Sequence, residues 1–142
     1  MTATTKTHQL EELPAIGCLR HLRGERIGRL AVNVGGHPEI FPVNYAVDRH
    51  GCIVFRTDHG TKLAAVVHDN DVAFEVDGID DARHGGWSVV VVGTARWTRP
   101  QDIDDVAELP LQPWAAGPKA SYVTITPVKI TGRWINLFHE GD

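Results

Sequence analysis

Several segments of this sequence alternate apolar and polar residues, and turn residues separate them. Ile27 to Val34 and Glu39 to Val47 alternate in this way on either side of Gly35-Gly36, a pair typical of a tight hairpin turn. Four further segments have the composition of strands: 52–57, 71–79, 87–99 and 121–137. Few helical segments interrupt them. The pattern predicts a mainly β fold, in which six or seven antiparallel strands form a closed or nearly closed barrel with a few short flanking helices.

Two short helices are predicted near the start of the chain. Leucine or isoleucine stands at every third position from 10 to 22, which predicts a helix with Pro14 in its first turn and Gly24 at its end. A second helix is predicted to begin near Thr61, an N-cap that precedes apolar residues at helical spacing. Residues 101–109 are predicted as a short acidic helix, and residues 110–118 as a proline-rich crossing.

The composition is that of a soluble globular domain. The chain has 142 residues, of which 42% are apolar and 23% charged, and its net charge of −4 gives no reason to expect nucleic acid as the main partner. It has no apolar signal core and no apolar run long enough to cross a bilayer. Motifs of zinc hydrolases, serine hydrolases and Rossmann dinucleotide sites are absent. We expect a disordered tail at 1–9, a single domain at 10–142 and a cytoplasmic location.

A candidate anion site lies where the third strand leads into the second helix. Arg56 and Thr57 end the strand, and Thr61 and Lys62 begin the helix. A helix N-terminus attracts anions through its unpaired N–H groups and its partial positive charge. Lysine in the first turn opposes that dipole unless an anion lies between them. The four residues therefore suggest a phosphate site, although solvated charges on a turn would give the same pattern.

Two other segments suggest contacts beyond one chain. Pro42 removes a hydrogen-bond donor from its strand, so this strand must lie at an edge or contain a bulge there. The segment 89–92 consists of four valines, so both faces of the fifth strand are apolar and the outer one needs a cover. A second subunit is the simplest cover. Trp87 opens this strand, where its ring would contact a ligand, the protein interior or a subunit interface.

In their order along the chain, these elements resemble the pyridoxamine 5′-phosphate oxidase-like superfamily. The resemblance covers about residues 10 to 137. It rests on the following pieces: Gly28-Arg-Leu-Ala after the Leu-x-x-Leu helix, Phe41-Pro-Val-Asn-Tyr45, Val54-Phe-Arg-Thr-x-x-Gly-Thr-Lys62, Ala73-Phe-Glu-Val-Asp77, Gly86-Trp-Ser-Val-Val-Val-Val-Gly-Thr-Ala95 and Val123-x-Ile-x-Pro-x-x-Ile-x-Gly-Arg133. It implies an FMN-binding split β-barrel of Greek-key type, similar to the short actinobacterial and nitroimidazole-resistance members.

The resemblance also implies residue roles. Arg56, Thr57, Thr61 and Lys62 would bind the flavin phosphate. The backbone of Phe41, Pro42, Val43 and Asn44 would run along the isoalloxazine edge. Trp87 and Ser88 would come from the partner subunit of a homodimer, so that two symmetric sites lie at the interface.

The activity implied is that of an FMN-dependent oxidoreductase, in which a reduced nicotinamide supplies hydride to a small planar acceptor. True pyridoxamine phosphate oxidases carry a C-terminal extension that grips the substrate. This sequence ends at Asp142 and has Pro127-Val128 where an aromatic residue is expected, so vitamin B6 oxidation is not the expected activity. Two alternatives remain open: a deazaflavin coenzyme (F-420) in the same fold, or a protein that binds flavin without catalysis.

Overall fold

The computed structural model describes residues 10–58, 62–67, 70–99, 102, 109–111 and 120–137. Seven strands and two helices follow one another in these ranges: β1 (Leu10–Glu12), α1 (Ala15–Gly24), β2 (Ile27–Val34), β3 (His37–Val47), β4 (Ile53–Asp58), α2 (Lys62–Val66), β5 (Asn70–Asp80), β6 (Gly85–Trp97) and β7 (Ala120–Asn136). None of the helices in these ranges has the length and apolar character needed to cross a membrane.

All seven strands belong to one antiparallel sheet that closes on itself. Its order is β1-β7-β4-β3-β2-β5-β6, and β6 also pairs with β7, so the six strands from β2 to β7 form a ring. The 17 residues of β7 make this closure possible, because β4 pairs with its residues from Ala120 to Ile125 and β6 pairs with its residues from Val123 to Asn136. The predicted mainly β, closed antiparallel architecture is confirmed.

The hairpin between β2 and β3 has the predicted turn. Gly35 and Gly36 adopt φ values of 58° and 84°, a left-handed conformation that side chains other than glycine rarely tolerate. Pairing then runs without interruption from Val34–His37 to Ile27–Asn44. Two glycines at this position therefore fix the register in which the apolar faces of both strands meet the interior.

The N-terminal helix is shorter than the sequence predicts. Residues Leu10–Glu12 form strand β1, which pairs with β7, and α1 begins only at Ala15. Pro14 is the N-cap residue, in an extended conformation with ψ at 158°. The reason is steric, because a proline disfavours helical geometry in the residue before it and has no N–H to continue a helix. The leucine spacing therefore spans two elements rather than one.

Helix α1 is anchored to the ring by a buried hydrogen bond. The Tyr45 hydroxyl donates to the carbonyl oxygen of Leu22 at 2.6 Å, and both residues lie in the core. The Tyr45 ring also contacts the edge of Phe74, with 4.7 Å between ring centroids. The core consists of apolar side chains from α1, from α2 with the adjoining Val67, and from β2 to β7.

Two sequence predictions fall mainly on residues that the structure does not describe. Of the predicted acidic helix, the structure describes only Asp102 and Leu109, and of the proline-rich crossing only Pro110 and Leu111. The predicted tail at 1–9 also lies outside the described residues.

Candidate functional site

Strands β3 and β4 separate beside the predicted anion site. They pair over only three positions, from Val47–Ile53 to Tyr45–Phe55. The same register, if continued, would place Asn44 opposite Arg56, yet the ladder stops although both strands are described throughout. Strand β3 remains paired with β2 on its other side, and β4 with β7. The sheet is therefore split here, with residues 41–44 on one side of the opening and residues 56–58 on the other.

Arg56 has the features of an anion ligand. Its side chain is half-buried, and its Nε atom is fully buried with no hydrogen-bond partner among the residues the structure describes. The guanidinium carbon lies 5.6 Å from the ring centroid of Tyr122, the residue opposite on β7. A buried donor of a charged group is costly unless it is hydrogen-bonded. A phosphate oxygen at Nε would meet that need, so this residue fits the group that the resemblance implies.

The structure describes one of the two threonines of the predicted site. Thr57 is buried at 8% exposure, and strand alternation directs its side chain to the face opposite Arg56. Thr61 lies outside the described residues. The structure thus places Arg56 on the outer face of the split and Thr57 on the inner one.

Lys62 binds a carboxylate of the protein itself. Its Nζ atom lies 2.8 Å from Oε1 and 2.7 Å from Oε2 of Glu39 on β3, and the lysine side chain is 58% exposed. An exposed ion pair of this kind contributes roughly 0–1 kcal/mol to stability. It ties α2 to the far side of the split. Glu39 is a residue of the site that the sequence did not reveal, since nothing in a separation of 23 residues signals the contact.

The other side of the split is the open edge of β3. Among the described residues, β3 pairs from His37 to Asn44 with β2 alone, so Pro42 lies in an edge segment as predicted. Val43 is buried, Phe41 packs against the core, and Pro42 is exposed. A planar ring could approach this edge without displacing a paired strand.

Trp87 and Ser88 lie far from Arg56 within one chain. Trp87 pairs with Trp134 near the end of β7, whereas Arg56 pairs with Tyr122 near its start. Twelve residues of strand separate these two positions, roughly 40 Å if the strand were straight. The structure therefore does not bring Trp87 and Ser88 to Arg56 of the same chain.

Trp87 makes specific contacts of its own. Its ring stacks on His21 of α1, with 3.8 Å between centroids and 19° between planes. Burial lowers the pKa of His21, which favours the neutral imidazole in this stack. A Cβ atom at Gly78 would lie 2.7 Å from the indole, so a glycine is required there.

Among the described residues, no group of three or more His, Cys, Asp and Glu could hold a metal ion.

Comparisons with known proteins agree with this architecture. A family profile described as pyridoxamine 5′-phosphate oxidase matches residues 16–134. An FAD binding protein from Mycobacterium smegmatis superimposes with a TM-score of 0.81 at 36% identity, covering 91% of this chain and 100% of the other. A putative pyridoxamine 5′-phosphate oxidase from Corynebacterium glutamicum gives 0.76 at 36% identity, covering 92% and 97%.

A relative in Mycobacterium tuberculosis, the uncharacterized protein Rv0080, is 33% identical over 131 residues, which are 87% of this chain and 84% of that protein. The profile match extends over most of the sequence and includes every strand from β2 to β6, as well as the greater part of β7. The chain belongs to the pyridoxamine 5′-phosphate oxidase family.

Proposed function

We propose that this protein binds a flavin at the split between β3 and β4 and acts as an oxidoreductase that passes hydride from a reduced nicotinamide to a small planar acceptor. The observation that carries the proposal is Arg56, whose buried Nε lacks a hydrogen-bond partner among the described residues and lies beside an open strand edge. The structurally similar protein from M. smegmatis, described as FAD binding, supports a flavin as the ligand.

Different residues would bind the phosphate and the ring of the flavin. Arg56 holds the phosphate by charge-assisted hydrogen bonds, with Lys62 available if it exchanges Glu39 for the phosphate. Thr61 remains a proposed phosphate ligand, whereas Thr57 is buried on the inner face of the split and does not face Arg56. The edge of β3 from Phe41 to Asn44 positions the ring and shields one side of it from water. The flavin, when bound, supplies the hydride chemistry, and the protein supplies binding and orientation.

We also propose a homodimer in which Trp87 and Ser88 reach the split of the partner chain. Their separation from Arg56 supports this arrangement, because the two positions lie twelve residues apart along β7 within one chain. The outer face of β6 offers an apolar surface for such an interface. Val92 is 43% exposed there, while Val89 and Val91 point into the core.

A flavin titration tests the binding proposal. Replacing Arg56 by Ala removes the charge-assisted bond, so we expect FMN affinity to fall by about 1.5–3 kcal/mol, which is roughly 10- to 150-fold. Arg20→Ala is the matched control, because Arg20 is an exposed arginine of α1 and is not among the residues that border the split. The measurement is quenching of flavin fluorescence, followed by reduction with NADH and NADPH and reoxidation by a panel of planar acceptors.

Each alternative gives a different result in this assay. Tight binding of the deazaflavin coenzyme (F-420) without binding of FMN would favour the deazaflavin reading. Flavin binding without turnover would indicate a storage or sensing protein. Failure of the wild-type protein to bind any flavin, or unchanged affinity in Arg56→Ala, would refute the site proposed above.

A further inference from the structure

Tyr122 is the neighbour of Arg56 on the side away from the split. The two residues are directly opposite each other on β7 and β4, and residues in that relation have their side chains on the same face of a sheet. The guanidinium carbon of Arg56 lies over the tyrosine ring, 5.6 Å from its centroid. This distance is within the range of a cation–π interaction. Arg56 therefore has the open edge of β3 on one side and an aromatic ring on the other.

The part of β7 that carries Tyr122 is paired on both of its edges. On one edge it pairs with β4 through Arg56, and on the other edge β6 pairs with β7 as far as Val123. One residue further, the N–H of Thr98 donates a hydrogen bond of 2.9 Å to the carbonyl oxygen of Tyr122. The tyrosine side chain is half-buried. The ring therefore projects from a backbone that is held on both sides, whereas the other neighbour of β4 at this point is open.

Two other cations near the split have carboxylates as partners. Arg29 on β2 donates from Nε to Glu75 at 3.1 Å and from Nη2 to Asp77 at 2.7 Å, and Lys62 donates to Glu39 at 2.8 Å. A carboxylate accepts the same N–H protons that an anionic ligand would need. A ligand at either of these cations therefore has to compete with an acid of the protein.

Arg56 differs from them because its partner is a ring. A cation–π interaction attracts the positive charge to the face of the ring and does not require Nε as a donor. This Nε is fully buried and has no hydrogen-bond partner among the residues that the structure describes. Tyr122 thus offsets part of the cost of keeping a charged side chain half-buried and leaves Nε available to an anion. An anion that binds there meets a donor that is already oriented.

We propose that Tyr122 is a positioning residue for the flavin phosphate, because its ring holds the guanidinium of Arg56 at the split with Nε available to the phosphate. The proposal rests on the function proposed above, since it takes the flavin phosphate as the anion at Arg56. Tyr122 acts through Arg56, and its hydroxyl has no part in the effect. Without the ring, the arginine side chain would have more rotamers to lose when the phosphate binds.

Titrations with FMN and with riboflavin test the proposal, because riboflavin has the same ring system and lacks the phosphate. In the wild-type protein we expect FMN to bind at least about tenfold more tightly than riboflavin. Tyr122→Leu is expected to weaken FMN binding by about 3- to 30-fold, the range of a partly buried cation–π interaction, and to leave riboflavin binding within about twofold. Tyr122→Phe is the matched control, because it keeps the ring and should bind FMN within about twofold of the wild type.

A double-mutant cycle shows whether Tyr122 acts through Arg56. In the Arg56→Ala background, Tyr122→Leu should change FMN affinity by less than about twofold, because the group that it positions is absent. Tyr122→Val is a second variant without a ring, and valine is well suited to a strand, so the test does not depend on one substitution. Circular dichroism spectra of all these variants show whether the sheet is intact.

The outcomes separate this proposal from the one before it. An unchanged FMN affinity in Tyr122→Leu, an equal loss of FMN and riboflavin binding, or the same loss in Tyr122→Phe would refute the positioning role and leave the flavin site intact. A full effect of Tyr122→Leu in the Arg56→Ala background would mean that the ring contacts the flavin directly, which also refutes it. Equal affinities of the wild-type protein for FMN and riboflavin, or binding of neither, would refute the phosphate site at Arg56 and both proposals with it.

Discussion

Replacing Gly28 by Ala should destabilise the ring through a single steric contact. A Cβ atom at position 28 would lie 2.5 and 2.9 Å from Cε1 and Cε2 of Phe74, with Cζ closer still, whereas carbon atoms in contact are normally about 3.5–4.0 Å apart. The Phe74 ring must therefore move by about 1 Å or more. It is fully buried and packs on Tyr45, which is itself held by its bond to Leu22, so its movement disturbs a packed core.

Overpacking of this kind costs about 1–3 kcal/mol, which in a domain of this size lowers the melting temperature by roughly 4–10 °C. Thermal unfolding followed by circular dichroism measures it. Gly24→Ala is the matched control, because a Cβ there would meet nothing within 4 Å, and we expect it to be neutral or stabilising by up to about 1 kcal/mol. Adding Phe74→Leu should cost less in Gly28→Ala than in the wild type. A melting temperature of Gly28→Ala within about 1 °C of the wild type would refute the steric argument.

Three further outcomes are expected. Tyr45→Phe leaves the buried Leu22 carbonyl without its donor and should cost about 1–3 kcal/mol in urea unfolding; no loss would mean that another donor replaces the hydroxyl. Burial raises the pKa of Tyr45 above its ordinary value of 10.0, so the unfolded chain loses the hydroxyl proton at lower pH than the folded protein does. The free energy of unfolding should therefore fall by about 1.4 kcal/mol per pH unit above pH 10, and it should fall less steeply in Tyr45→Phe. Val92→Lys places a charge on the outer face of β6 and should convert the proposed dimer to a monomer in light scattering, which a monomeric wild type would contradict.

Most strands could be predicted because their side chains alternate about one buried face. Ile27–Val34 appears as strand β2 with the predicted bounds, since a half-buried strand shows period two in its residues. The hairpin glycines and the edge position of Pro42 were also predictable, because each follows from the backbone chemistry of one residue type.

The first residue of the N-terminal helix could not be predicted in the same way. Leucines at every third position can be buried equally well by one helix and by a strand followed by a helix. Residues Leu10–Glu12 form β1 because they pair with β7, which lies over a hundred residues away in the sequence. The stacking of Trp87 on His21 could not be predicted for the same reason, since no local sequence pattern relates a helix residue to a distant strand.

The two cations of the predicted phosphate site differ in what a ligand must displace. A phosphate that approaches Lys62 has to compete with Glu39, whose two carboxylate oxygens already lie within 2.8 Å of Nζ. A phosphate that approaches Arg56 meets a buried Nε with no hydrogen-bond partner in the described part of the chain, so it removes a desolvation cost instead of breaking a bond. Because Lys62 is also the more exposed, salt screens its contribution more strongly. The affinity for an anion at this split should therefore come mainly from Arg56, and Lys62 should adjust it.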